Sequence, residues 1–277
     1  MTEQNVAAAA PAAVRDAAPG AAAAEEPLRR EVRDRILVLT LNRPHAKNAV
    51  NLALATALAG ALEEFDADPQ LRVCVVRGAG GSFCAGMDLR AFAAGEVPIV
   101  PGRGFGGVAE RTARKPVIAA VDGFALGGGF EIALACDLIV AGEDALFGLP
   151  EVTRGITANG GGLLRLRERI PYHVAMELVL TGRRISAAEA GALHLVNRVT
   201  AAGAALDGAL ALAAEIANNA PLAVQASKEV LLHAADWRLE ERFERQRAVT
   251  SAIRGSRDAA EGARAFVEKR DPVWTGS

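Results

Sequence analysis

With 277 residues, 31 Lys plus Arg and 33 Asp plus Glu, the chain is long enough to bury a substantial core and carries a formal net charge of only −2. That balance gives no reason to expect a nucleic-acid-binding field, and no apolar run reaches the roughly 18 residues that would suggest a membrane span. Cys74, Cys84 and Cys136 form no CxxC pair, and His45, His173, His194 and His233 lack any close ligand spacing, so no disulfide framework or metal site has support and a reducing cytoplasm is the expected compartment.

Residues 1–27 hold twelve Ala and three Pro but no Leu, Ile or Phe. So few large apolar groups cannot offset the entropy of ordering the backbone, and the segment is expected to be a flexible leader. It lacks the basic start and Leu-rich centre of a signal peptide. Residues 36–41 (ILVLTL) form a compact apolar run of strand length, ended by Asn42-Arg43-Pro44. Residues 52–65 have helical periodicity, residues 73–76 and 116–121 look like further buried strands, and 138–141 and 145–147 are short candidates for more. Residues 91–111 carry seven Gly and Pro, the composition of a mobile loop that closes over a ligand. From Leu163 the pattern is almost wholly helical, with a small strand or loop at residues 196–199 and helices over 204–218 and from Leu222 onward. Strands alternating with helices predict an α/β core of residues 28–200, followed by a helical C-terminal region of residues 201–277.

Three stretches carry chemistry. In GGSFCAGMDL (residues 80–89), small residues after a buried strand let backbone N–H groups approach a ligand oxygen closely, although an ordinary surface turn has the same composition. In DGFALGGGFEIALACD (residues 122–137), three glycines precede a short helix and aim free N–H donors and a positive dipole end at one point. Glu131 falls in the first turn of that helix. It could merely complement the dipole, but that role leaves three helix-weakening glycines unexplained. GxGxxG is absent from this stretch, so a dinucleotide site there is disfavoured. In FGLPEVTRG (residues 147–155), Glu151 follows a rigidifying proline and precedes a second glycine-rich helix start at residues 159–162.

Taken in order and spacing, these stretches resemble the crotonase (enoyl-CoA hydratase/isomerase) superfamily, from about Val32 to Trp274. Asn42-Arg43-Pro44 with Asn48-Ala49 and the closing Glu261-Gly262 and Phe266-Val267-Glu268-Lys269-Arg270 take part in the match. The resemblance implies an α/β, crotonase-like spiral of ββα repeats with a helical C-terminal trimerisation region. It implies an oxyanion hole from the N–H groups of Met87 and Gly128, and two catalytic carboxylates, Glu131 and Glu151, on either side of a water. It places Ala46, Lys47, Ala85, Asp88, Leu89, Phe266 and Lys269 against coenzyme A, the last two often from a neighbouring subunit. The implied ligand is an acyl-CoA thioester, coenzyme A being part of the substrate and no separate cofactor being called for. No nucleic-acid or membrane partner is implied, and the implied assembly is a homotrimer or a dimer of trimers. Asn159 departs from the glycine that many hydratases carry beside the water.

Two carboxylates fit reversible hydration of a 2-enoyl-CoA, with Glu131 deprotonating water and Glu151 delivering a proton. An isomerase needs only one, whereas a carnitinyl-CoA dehydratase-like enzyme runs the same chemistry in reverse. A reading from a different class, a crotonase-fold protein that binds RNA or another protein, would rest on the Arg-rich helix at residues 163–169, set against a solvated face of mixed charge.

Overall fold

A computed structural model describes residues 26–277, so the expected leader falls almost entirely outside the described residues. Strand β1 (Leu28–Arg33) opens a hairpin with β2 (Ile36–Leu41). β3 (Val73–Gly78), β6 (Val117–Val121), β8 (Leu138–Gly142) and β11 (Arg198–Thr200) then add in parallel, giving a six-stranded sheet in the order β1-β2-β3-β6-β8-β11. The central strands are near-continuous Val, Ile and Ala because both faces of this sheet are covered.

A second, three-stranded sheet has the order β10-β9-β7, from β7 (Phe124–Leu126), β9 (Leu146–Gly148) and β10 (Ile185–Ser186). A single bridge between Cys84 and Ala125 extends it by one more pass of the chain. The path therefore repeats. The chain lays a strand in the large sheet, then a short pairing in the small sheet, then a helical turn. β3, the Cys84 bridge and α2 (Leu89–Ala93) make one pass. β6, β7 and α3 (Gly128–Ala135) make the next, and β8, β9 and a 3-10 helix at Pro150–Arg154 make the third. Three passes stacked in this way are the ββα spiral expected from the resemblance, and they bring three loop–helix junctions to one edge.

Alternation along the strands divides the core. Leu37, Leu39, Leu41, Cys74 and Val76 face the interior between the sheets, packed against α1 (Leu52–Ala67), whose N-terminus is capped by the Asn51 side chain accepting from the Leu54 N–H. Ile36, Val38, Val73, Val75, Ile118 and Val140 face the other way, onto Ala205, Ala209, Ala213 and Ala217 of α7 (Ala205–Ala217). Alanine at every fourth position lets this helix lie close to the sheet. α7 is thus a layer packed on the sheet, at the start of the helical region of residues 201–277. The helices that project from the core are α8 (Pro221–His233), α9 (Arg242–Arg254) and α10 (Arg257–Glu268).

Residues 91–111, expected as a mobile loop, hold the end of α2 and a hairpin of β4 (Ile99–Val100) and β5 (Gly104–Phe105). The buried Arg103 side chain ties that hairpin to α1 by donating to Ala59 O at 3.1 Å. Among the described residues, no helix is long and apolar enough to cross a membrane.

Candidate active site

The first junction presents Met87. Val50 N–H donates to Gly86 O at 2.8 Å and Asp88 N–H donates to Val50 O at 2.9 Å. This parallel bridge uses the polar groups flanking Met87 and turns Met87's own N–H to the opposite edge, towards the cavity that Met87 lines. The second junction presents Gly128, the first residue of α3, whose N–H has no partner within the helix. Gly127 before it adopts φ +53° and ψ −128°, a conformation that admits glycine and little else. The two junctions touch, since a Cβ on Gly86 would stand 2.9 Å from Leu126 O and 3.4 Å from Gly128 N. Met87 and Gly128 thus line one cavity of about 440 Å³, and backbone N–H groups directed into such a cavity can stabilise negative charge on a carbonyl oxygen.

Glu131, one turn into α3, is 3% exposed. Its Oε1 accepts from Gly160 N–H at 2.7 Å and from Gly162 N–H at 2.9 Å, so the glycine-rich start of α4 (Gly162–Arg169) fixes the carboxylate in direction. Burial raises its pKa, and those two N–H donors, with the Arg165 charge behind them, pull it back down. Glu151 comes from the third junction, the 3-10 helix. Its Oε1 lies 3.1 Å from where a Cβ on Gly127 would sit, and its buried Oε2 has no hydrogen-bond partner. Burial, reinforced by the Glu131 charge, pushes the Glu151 carboxyl up to about 7. Both carboxylates line the same cavity as Met87 and Gly128. One is held by donors that favour its ionised form, and the other keeps its proton well above the usual carboxylate range, being about half protonated at neutrality.

Of the residues assigned to coenzyme A, Ala85 and Leu89 line this cavity. Lys47 borders it through its carbonyl, which accepts from Ala85 N–H at 3.0 Å, and its ammonium lies 5.3 Å from the centre of the Phe124 ring. Ala46 belongs to the adjacent 3-10 turn, Pro44–Ala46. Asp88 is engaged inside the fold, where its carboxylate accepts from Arg43 Nη2 at 2.8 Å and caps α2 through Arg90 N–H and Ala91 N–H. Phe266 and Lys269 lie at the end of α10 and do not line the cavity, and the Phe266 side chain is 84% exposed. Asn159 lines it as expected.

Wall residues outside the three motif stretches include Phe105, Ile156 and Thr157. None belongs to a glycine–carboxylate motif, so only the contact itself reveals them. Arg165, which sequence places on a solvated or nucleic-acid-binding face, turns inward. Its guanidinium donates to Ala109 O at 2.6 Å and reaches Gly160 O at 3.5 Å, behind the loop that holds Glu131.

Comparison with known proteins agrees with this geometry. The enoyl-CoA hydratase/isomerase family model matches residues 31–277. An enoyl-CoA hydratase of known structure from Mycobacterium marinum is 56% identical with a TM-score of 0.90, over 91% of this chain and 100% of its own. The structure of a carnitinyl-CoA hydratase from Mycobacterium avium is 45% identical with a TM-score of 0.73, over 91% of this chain and 100% of its own. A carnitinyl-CoA dehydratase from Salmonella paratyphi A is 45% identical over 250 residues, which are 87% of this chain and 95% of that relative. A match that runs through all three ββα passes and on to the last residue makes the chain a member of the enoyl-CoA hydratase/isomerase family.

Proposed function

We propose that the protein is an enoyl-CoA hydratase, adding water reversibly across the double bond of a 2-enoyl-CoA to give a 3-hydroxyacyl-CoA. One observation carries this reading. The buried carboxylates of Glu131 and Glu151 line a single cavity that Met87 and Gly128 also line. Attack of water at Cβ develops enolate charge on the thioester oxygen, and two preorganised donors stabilise that charge more than the ground state. Losing one such donor costs on the order of 3 kcal/mol of barrier.

In this mechanism Glu131, oriented by Gly160 and Gly162, takes a proton from water as its oxygen bonds to Cβ. Glu151, protonated and unpartnered at Oε2, gives its proton to Cα as the enolate collapses. The gain at one carboxylate balances the loss at the other, and exchange with the next water resets both. Coenzyme A enters as part of the substrate, with Ala85 and Leu89 at the cavity and Ala46 and Lys47 beside it. In this proposal Phe266 and Lys269 reach coenzyme A from a neighbouring copy in a cytoplasmic homotrimer or dimer of trimers. Their exposure, with that of Leu231 and Phe243 on the projecting helices, supports such a partner.

A second reading, dehydration of carnitinyl-CoA, is favoured by the names of the Salmonella and Mycobacterium avium relatives and uses the same groups in reverse. The test is loss of the enoyl-thioester ultraviolet band with crotonyl-CoA, comparing wild type with Glu131→Gln and Glu151→Gln. Hydration by wild type and a drop of orders of magnitude in both variants is the expected result. Binding of thioesters without any change in the band, while a trimethylammonio-hydroxyacyl-CoA is dehydrated, would transfer the assignment to the second reading.

A further inference from the structure

The β4–β5 hairpin takes no part in the chemistry above, yet buried contacts tie it to α1. Arg103, only 3% exposed, sits in its turn. Besides its bond to Ala59 O, its Nη1 donates to Arg111 O at 3.2 Å, and Nε lies 3.4 Å from the Glu63 carboxylate. Gly106 N–H donates to Pro98 O and Glu110 N–H to Arg103 O, both at 2.9 Å, closing the base of the hairpin. Gly107 packs directly on α1, where a Cβ would stand 2.3 Å from Ala55 O. Flanked by Gly104 at φ +73° and Gly106 at φ +61°, Phe105 turns its ring into the cavity.

That ring contacts both halves of the site. A Cβ on Gly128 would stand 2.3 Å from Phe105 Cζ, and one on Gly160 would stand 3.2 Å from Phe105 Cδ1. Gly128 bears an oxyanion donor, and Gly160 donates to Glu131. A thioester with its oxygen at Gly128 and its Cβ beside Glu131 directs its next carbons to the corner between these two glycines, which the ring fills. We infer that Phe105 is the stop of the acyl pocket, pinned by Arg103, and that the substrates are short-chain 2-enoyl thioesters. This rests on the hydratase reading only for the direction in which the acyl chain runs.

The test is binding of butanoyl-, octanoyl- and dodecanoyl-CoA by titration calorimetry to wild type, Phe105→Ala and Phe105→Trp, each checked for fold by circular dichroism. Saturated thioesters cannot be hydrated, so the binding profile is read whether or not the protein is a hydratase, and crotonyl-CoA turnover tests that separately. In wild type the affinity should fall from butanoyl- to dodecanoyl-CoA. Phe105→Ala should raise the dodecanoyl-to-butanoyl affinity ratio on the order of tenfold or more, and Phe105→Trp should lower the octanoyl-to-butanoyl ratio. Ratios within twofold of wild type in both variants would overturn the assignment and send the acyl chain along another wall.

Discussion

Replacing Glu151 with Gln should abolish turnover and at the same time stabilise the fold, by an amount that depends on pH. The carboxyl is pushed from its ordinary 4.5 to about 7, mainly by burial and then by the Glu131 charge. Such a rise corresponds to about 3 kcal/mol of preference for the neutral acid. Because the folded value lies above the unfolded one, the native state keeps a proton between pH 4.5 and about 7 that the unfolded chain has released. Stability from this group is therefore complete below pH 4.5, falls as pH rises through that window, and is fully lost above about 7. A glutamine of the same shape cannot ionise, and its amide meets the same partnerless surroundings that Oε2 meets now. Since Glu131 shares part of the effect, the advantage of Glu151→Gln over wild type should grow by about 2 to 3 kcal/mol between pH 4.5 and pH 8. Urea unfolding followed by circular dichroism at both pH values, at one fixed protein concentration, reads this difference directly. An advantage of the same size at both would show that Glu151 ionises as freely in the fold as in water. The proton-donor role would then lose its physical basis.

Gly160→Ala should lower kcat on the order of a hundredfold with thioester binding retained, because its Cβ would stand 2.6 Å from Glu131 Oε2 and displace the carboxylate; steady-state kinetics with binding by calorimetry checks this. Arg165→Met should lower kcat about tenfold and move the acidic limb of its pH profile upward, since the cation that holds the Glu131 pKa down is gone, whereas Arg165→Lys should leave that limb in place. Lys228→Met strips a half-buried Asp137 of an ion pair at 2.6 Å and should destabilise the fold by about 3 kcal/mol in urea titrations, with much of the loss recovered when Asp137→Asn is added.

Strands β2, β3, β6 and β8 could be read from sequence because strands covered on both faces become unbroken apolar runs. β1 could not: LRREVR has one buried residue, Leu28, and five exposed ones, and it is a strand only because β2 offers an edge. The three-residue β7 is equally silent locally, since its pairing with β9 is decided by the superposition of successive passes. Arg103 is the extreme case. A charged residue among glycines has the composition of a solvated loop, and nothing within that segment announces that Ala59 O, 44 residues away, will accept from its guanidinium.

The same division explains which parts of the site were visible. Met87, Gly128, Glu131 and Glu151 each sit at a junction whose glycine or proline is dictated by close backbone approach, so local chemistry marks them. Groups that act on those four from a distance leave no such mark. Gly160 and Gly162 are recognisable as a helix start, but not as the donors that orient Glu131. Arg165 follows three residues after Gly162 and has an ordinary helix-surface context, while its function depends on Ala109 O, supplied by the segment that carries Phe105. The wall that limits the substrate and the loop that aims the base are thus joined through one guanidinium. Sequence variation in residues 91–111 can therefore alter chain-length preference and, through Ala109, the setting of Glu131, even though that segment contributes no catalytic group.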